Sequence, residues 1–203
     1  FISFFIVNIG LLVNNLNYTS SVIIGIECLM VIIILTIISL INGRFLKIKK
    51  IKILSSKLKR EIKLIFLSDI HLGTNTKKHL ERIYSKIKDL DYDFVLIGGD
   101  LIDSSGFKLN ELKILKNINK PIFFISGNHE YYIKDFREKL KELKKYNLIF
   151  LDNKSYKVEN INIIGVSDNQ KLNNQTKIAN KLINSSLFNL IVVHKPTLWN
   201  SVQ

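Results

Sequence analysis

Cysteine is almost missing from this 203-residue chain, with Cys28 the single example. A lone cysteine excludes a disulfide within the chain and any cysteine-based metal site. Charge is almost missing from the first 43 residues, where Glu27 is the only acidic or basic side chain. All 30 Lys and Arg lie beyond them, against 17 Asp and Glu in the whole chain, for a net charge of +13. No internal repeat and no low-complexity linker interrupts the sequence. Two regions follow from the charge step, residues 1–43 and 44–203, and the second is long enough for one good-sized domain.

What the first region does contain is an apolar run. Val22 to Ile41 is nearly unbroken Ile, Leu, Val and Met, enough at about 1.5 Å per residue to cross a hydrocarbon core of roughly 30 Å. It predicts a transmembrane helix. Phe1 to Val13 is apolar but short and reads as the end of an earlier span, so a helical hairpin is expected. A cleaved secretory signal is the alternative, but no basic leader precedes the run and no small-residue cleavage site follows it. Glu27, about one turn into the span, reads as an interfacial residue. The connector Asn14 to Ser20 carries no charge, whereas Arg44, Lys47, Lys49, Lys50 and Lys52 follow the second span closely. The positive-inside rule then places the chain in the cell membrane with its large domain in the cytoplasm. Excess positive charge suits an anionic partner, whether phosphorylated substrate, acidic lipid or nucleic acid, and selects none of them.

Lys47 to Ile53 nearly alternates, which suits an exposed strand with one buried face or a polybasic patch at the membrane surface. Beyond it a strand–helix rhythm begins. Ile62 to Ser68 reads as a buried strand and Thr76 to Leu90 as an amphipathic helix with Leu80, Ile83 and Ile87 on one stripe. Phe94 to Ile97, Leu109 to Asn117, Pro121 to Ile125 and Ile133 to Tyr146 continue as strand, helix, strand and charged helix. Such alternation predicts an α/β sheet. From Leu148 the pieces are short and β-prone, with a hairpin-like pair at Tyr156 to Glu159 and Ile161 to Val166. A polar helical stretch, Asn173 to Asn184, leads to a last strand, Leu190 to Val193.

Polar clusters sit at the carboxyl ends of four of these strands: Asp69-Ile70-His71, Gly98-Gly99-Asp100, Gly127-Asn128-His129-Glu130, and His194. That is where open α/β sheets place their sites. Hard or borderline divalent ions accept carboxylate, amide oxygen and neutral imidazole, the donors of Asp69, His71, Asp100, Asn128 and His194. On extended backbone Asp69 and His71, two apart, project to one side. Gly98 and Gly99 let the chain turn so that Asp100 enters a crowded centre, where its carboxylate can bridge two ions. Two cations about 3.5–4 Å apart can hold a hydroxide as nucleophile and neutralise phosphoryl oxygens. His129 is then the candidate general acid, and Asp103, in the following loop, can orient its imidazole.

Each cluster taken alone has a plainer reading. Asp69 and Asn128 can cap helices, Gly-Asp commonly makes a turn, and His194 can bond a backbone carbonyl. Glu130 reads as a first-turn acid favoured by the helix dipole. Asp168 can line the cleft or form a turn, and Tyr131 and Tyr132 carry no assigned role. Four clusters in succession, each at a strand end, make independent turns a poor account.

In their order these residues resemble the calcineurin-like metallophosphoesterases, whose pattern runs D-x-H, G-D, G-N-H-D/E, H and then G-H-x-H. The first four elements match, and Asp103 falls where the family's G-D-x-x-D places the acidic partner of its catalytic histidine. The basic segment before Asp69 and the apolar leader are similar to a bacterial membrane-associated branch. The resemblance covers roughly residues 45–198. It implies a four-layer α-β-β-α sandwich with a dinuclear centre: Asp69 and His71 on the first ion, Asp100 bridging, Asn128 and His194 on the second. It also implies a phosphate-ester substrate and two divalent ions, with Mn, Fe, Zn, Co and Mg all compatible. No G-H-x-H occurs before Gln203, and truncation is the expected reason.

Two functions remain open on the sequence. One is a membrane-anchored phosphoesterase acting on phosphomono- or phosphodiesters, with anchoring suggesting a lipid-linked substrate. The other is a non-catalytic basic module, tethered to the membrane, that binds nucleic acid or anionic lipid. Its lysines are not interleaved with the aromatics of a single-strand groove.

Overall fold

The computed structural model describes residues 18–198 and Ser201, so the apolar run at Phe1–Val13 lies outside the described residues. Helix α1 is Tyr18–Arg44. Within it Ile23–Ile41, at a mean hydropathy of 2.8, is long and apolar enough to cross a membrane. The chain divides into two compact units between Ile51 and Lys52, further along than the charge step at residue 43. Lys47 to Ile53 forms no strand. Ile48, Ile51 and Ile53 are exposed, because no described strand pairs with this segment and its alternating face has nothing to pack against.

The second unit opens with four parallel strands, β1 (Leu64–Leu67), β2 (Phe94–Gly98), β3 (Ile122–Ile125) and β4 (Leu148–Phe150), hydrogen-bonded in that order. The central β2 and β3 are buried along their whole length, as expected of parallel strands covered on both faces. Helix α2 (Lys77–Ile87) links β1 to β2 and buries Leu80, Ile83 and Ile87, spaced three and four apart on one stripe. A 3-10 helix, Leu109–Asn117, links β2 to β3, where the sequence suggests an ordinary helix. The charged helix expected from Ile133 begins later, as α3 (Phe136–Leu143). Asp135 takes a left-handed φ of 61°, which breaks the helical path just before it.

A second sheet follows. Strand β5 (Lys154–Val158) forms an antiparallel hairpin with β6 (Ile161–Val166), and β7 (Phe188–Val193) lies parallel to β6. Helix α4 (Leu172–Leu182) makes the β6–β7 crossover.

Phe94, Leu96, Phe123 and Ile125 of the first sheet pack against Ile161, Ile163 and Val192 of the second. Successive residues alternate between faces, so Val95 and Ile97 turn to the other side, where they share a lining with Leu80, Ile83 and Leu115. On the outer face of the second sheet Ile164 and Val166 cluster with Ala179 of α4. The layers therefore run α-β-β-α.

At the amino ends of the strands one side chain joins the two sheets. Arg60 Nη2 lies 2.8 Å from Asp93 Oδ1, just before β2, and 2.5 Å from Glu159 Oε1, in the β5–β6 turn. The hydrogen bonds from Arg60 hold both carboxyls below the usual carboxylate range. A carboxylate with a depressed folded pKa adds stability above its unfolded value and loses it as pH falls through the folded one. Arg60→Ala is therefore expected to lower the urea midpoint at pH 7. Its difference from the parent should shrink as the pH drops below about 4. A gap that stays constant with pH would show that Arg60 acts by packing rather than by charge.

Candidate metal centre

The loops that leave β1 and β2 are laced together by backbone bonds. Asp69 N–H donates to Gly99 O at 3.1 Å and His71 N–H to Asp100 O at 2.8 Å. Asp69, His71 and Asp100 have φ of 56°, 50° and 53°, a left-handed conformation that few residues other than glycine adopt. Three of the five candidate ligands thus hold strained backbone, which persists where the surroundings enforce it and clusters at functional sites. The lacing bonds are what enforce it here. Asp69 and His71 do meet, with His71 Nε2 3.7 Å from Asp69 Oδ1. They meet through two left-handed residues, not through the extended backbone that the two-residue spacing suggests.

Asp100 is the hub. Its side chain is 4% exposed, and Oδ2 lies 3.3 Å from His194 Nε2, 3.7 Å from His71 Nε2 and 4.0 Å from His129 Nε2. Oδ1 accepts the His129 backbone N–H at 3.0 Å. Two of the imidazoles are pinned from behind. His194 Nδ1 is 2.9 Å from Gly98 O, a carbonyl that can only accept, so Nδ1 carries a proton and Nε2 is the nitrogen turned toward Asp100. His71 Nδ1 lies 3.3 Å from Asp103 Oδ2, which orients that ring in the same way.

Asp103, expected beside His129, makes its direct contact with His71. Burial works to raise its carboxyl, but hydrogen bonds from Thr74 and the nearby His71 and His129 rings outweigh burial and hold it below the usual carboxylate range. Asn128 is half-buried between Gly127 and His129, and its side chain makes no capping bond to the turn it precedes. His129 is 42% exposed, at the mouth, with its ring edge-on to His71 at 4.8 Å and to Tyr132 at 6.0 Å.

Two glycines leave the space for this convergence. A Cβ on Gly99, whose φ is +99°, would lie 2.6 Å from His194 Nδ1, and a Cβ on Gly127 would run into the Asp100 carboxylate.

Donor atoms of Asp69, Asp100 and His194 lie within 4.8 Å of one another, as do those of His71, Asp100 and His129. Imidazole nitrogens crowded onto a buried carboxylate need a proton or a cation between them. Mixed oxygen and imidazole donors are the set that hard and borderline divalent ions take. The residues present therefore fit such ions.

Glu130 does something the sequence reading does not anticipate. It is fully buried and accepts the backbone N–H groups of Asp100 at 3.0 Å, Ile102 at 2.9 Å and Gly127 at 2.8 Å. It does lie in the first turn of the 3-10 helix His129–Tyr132, but there it clamps the loops after β2 and β3 together. Burial pushes its carboxyl up, against those three bonds. Asp168 lies beside the site in an ion pair, its Oδ2 2.9 Å from Lys195 Nζ.

Comparison with known proteins agrees with this geometry. Residues 62–198 match the Calcineurin-like phosphoesterase family. An uncharacterized metallophosphoesterase of Helicobacter pylori is 33% identical over 166 residues, covering 77% of this chain and 45% of that protein. A transmembrane protein with a metallophosphoesterase domain from Danio rerio is 37% identical over 48% of this chain and 23% of its own length. A 3′,5′-cyclic adenosine monophosphate phosphodiesterase of Haemophilus influenzae is 31% identical over 40% of this chain and 32% of its own length. The chain spans less than half the length of these relatives. It belongs to the calcineurin-like phosphoesterases, a hydrolase family of divalent-metal enzymes.

Replacing Glu130 tests the clamp. Glu130→Ala orphans three buried N–H groups at about 1–3 kcal/mol each, so it should destabilise by at least about 3 kcal/mol. Glu130→Gln turns an NH₂ donor toward at least one of the same donors and should also destabilise, although nearly isosteric. Urea unfolding of both variants measures this, and a Gln variant as stable as the parent would remove the clamp from the account.

Proposed function

We propose that this chain is part of a membrane-anchored phosphoesterase that hydrolyses phosphomono- or phosphodiesters with two divalent ions. The observation that carries the reading is the convergence of the Asp69, His71 and His194 donors on the buried Asp100 carboxylate. In this reading Asp69 and His71 hold one ion, Asp100 bridges, and Asn128 and His194 hold the other. Mn, Fe, Zn, Co and Mg all suit that donor set. Divalent ions at such a centre supply Lewis-acid charge to phosphoryl oxygens and an acidified water as nucleophile.

The chain's own side chains do the rest. His129, exposed at the mouth and beside the centre, is placed to donate a proton to the leaving oxygen. Asp103 keeps the His71 proton on Nδ1, so that Nε2 faces inward. The named activity of the Haemophilus relative favours diesters among the substrates. Anchoring is supported by the apolar stretch Ile23–Ile41 and by the name of the Danio rerio relative. The lysines that follow that stretch put the catalytic domain on the cytoplasmic side. Residues 1–43 are the anchor and residues 44–203 the phosphoesterase region, and a substrate held at the membrane, lipid-linked or surface-bound, suits that arrangement.

The full-length protein should hydrolyse bis(p-nitrophenyl) phosphate with Mn²⁺, lose turnover in EDTA, and lose it on Asp100→Asn. Turnover that survives chelation would reject the proposal. Acid catalysis is separable by leaving group. His129→Ala should slow an alkyl ester by about 10²–10⁴ and a p-nitrophenyl ester much less, because nitrophenolate leaves without a proton. Equal losses on both esters would deny His129 that role.

A further inference from the structure

The candidate centre draws its ligands from two separate sheets. Asp69, His71, Asp100 and Asn128 leave the four-stranded sheet, and His194 leaves the three-stranded one. Apolar packing between sheets is non-directional, and useful metal geometry tolerates only about 0.5 Å of error. The His194 Nδ1–Gly98 O bond is one directional link at this rim, but it holds a single ring atom and not the strand end that carries it.

Behind the centre lies a knot of buried polar groups. Ser126 follows β3, Asp152 follows β4, Ser167 follows β6, and Tyr131 stands in the 3-10 turn His129–Tyr132. The Tyr131 hydroxyl donates to Asp152 Oδ2 at 2.7 Å and lies 2.6 Å from both Ser126 Oγ and Ser167 Oγ. Asp152 also accepts the Ser126 N–H at 2.8 Å through Oδ1, and the Ser126 hydroxyl through Oδ2. Ser167 is tied into its own sheet and helix. Its N–H donates to Asn153 Oδ1 at 3.2 Å, and its carbonyl accepts from Gln175 of α4 at 3.0 Å. Ser126 and Ser167 are fully buried, and no buried side-chain polar atom among the described residues lacks a partner.

Resting on the two-ion reading above, we propose that Ser126, Tyr131, Asp152 and Ser167 form a positioning network that sets His194 against Asp100 and so builds the second ion site. The link is short on both sides. Ser126 and Tyr131 flank the Gly127–Asn128–His129–Glu130 segment, so fixing them fixes Asn128. Ser167 directly follows the strand paired with β7, whose last residue, Val166, is in register with Val193, the residue before His194. Fixing Ser167 against Tyr131 therefore fixes His194 against the first sheet. The four residues touch neither substrate nor ion and act only through Asn128 and His194.

The test is Mn²⁺ titration of the full-length protein in detergent, followed by electron paramagnetic resonance, which separates a single ion from a spin-coupled pair. The parent should bind two ions and show the coupled signal. Tyr131→Phe and Asp152→Asn should bind the first ion within about twofold of the parent and the second about 10–100-fold more weakly, the same step that His194→Ala loses. If Asp152→Asn fails to fold, Ser167→Ala, which removes one hydroxyl, reads the same step. A merely structural network would lower the urea midpoint and leave the ratio of the two affinities unchanged; that outcome overturns the proposal. A parent that never shows a coupled pair overturns the two-ion reading and this inference together, whereas a coupled pair undiminished in the variants overturns this inference alone.

Discussion

One buried carboxylate makes the rest of the centre possible. Glu130 accepts three backbone N–H groups from two loops, and these loops carry Asp100 on one side and Asn128 and His129 on the other. Parallel strands deliver their chain ends to a common rim, but each chain end there has backbone donors with no strand left to bond. A single acceptor with two oxygens satisfies three of them at once, which no neutral side chain can do. Charge-assisted bonds of this kind are among the stronger ones a protein makes. They also hold Asp100 in its left-handed conformation, against the ordinary preference of a residue with a Cβ.

Strain and convergence are two faces of the same arrangement. A left-handed residue at Asp69, His71 and Asp100 costs about 1–3 kcal/mol each, and nothing about chain reversal alone requires three of them. What the strained conformations achieve is the crowding of imidazole nitrogens and carboxylate oxygens around Asp100 Oδ2. Gly99 and Gly127 contribute by what they lack, since a side chain at either would occupy the space of His194 or Asp100. Cations that bind this donor set in the folded state alone would add to its stability.

Much of this was legible in the sequence, and the unread parts have physical reasons. Apolar runs of four to six residues ending in Asp, Gly or His mark strand ends, and the strand–helix alternation points to the α/β sheet. The three-four spacing of Leu80, Ile83 and Ile87 gave the buried face of α2. The two-residue spacing of Asp69 and His71 predicts their proximity through extended backbone, and spacing along a chain does not reveal a left-handed φ. The first-turn place of Glu130 is legible, but its clamping role is not, because two of its three partners, Asp100 and Ile102, lie some thirty residues earlier. Asp152 and Ser167 belong to no local pattern at all. Their meaning comes only from β4 and β6 ending beside the turn that holds Tyr131. The strand read at Lys47 to Ile53 failed for a related reason, since alternation states which face could be buried and not whether a partner is there to bury it.

The two rims of the sandwich show why polar links between sheets take different forms. At the amino rim the link is Asp93 with Arg60 and Glu159, the last two about half exposed, where water screens the charges and a small displacement costs little. At the carboxyl rim, beside the His194–Gly98 bond, the link is a largely buried hydroxyl–carboxylate knot, where burial pushes Asp152 up and Tyr131 up to about 12. In a medium of low dielectric each bond is stronger and each lost bond more costly, so the knot tolerates less movement than the salt bridge. A fold held only against separation of its sheets could use either device at either end. Placing the more buried one at the rim where the candidate ligands of both sheets meet makes rigidity local to the candidate centre.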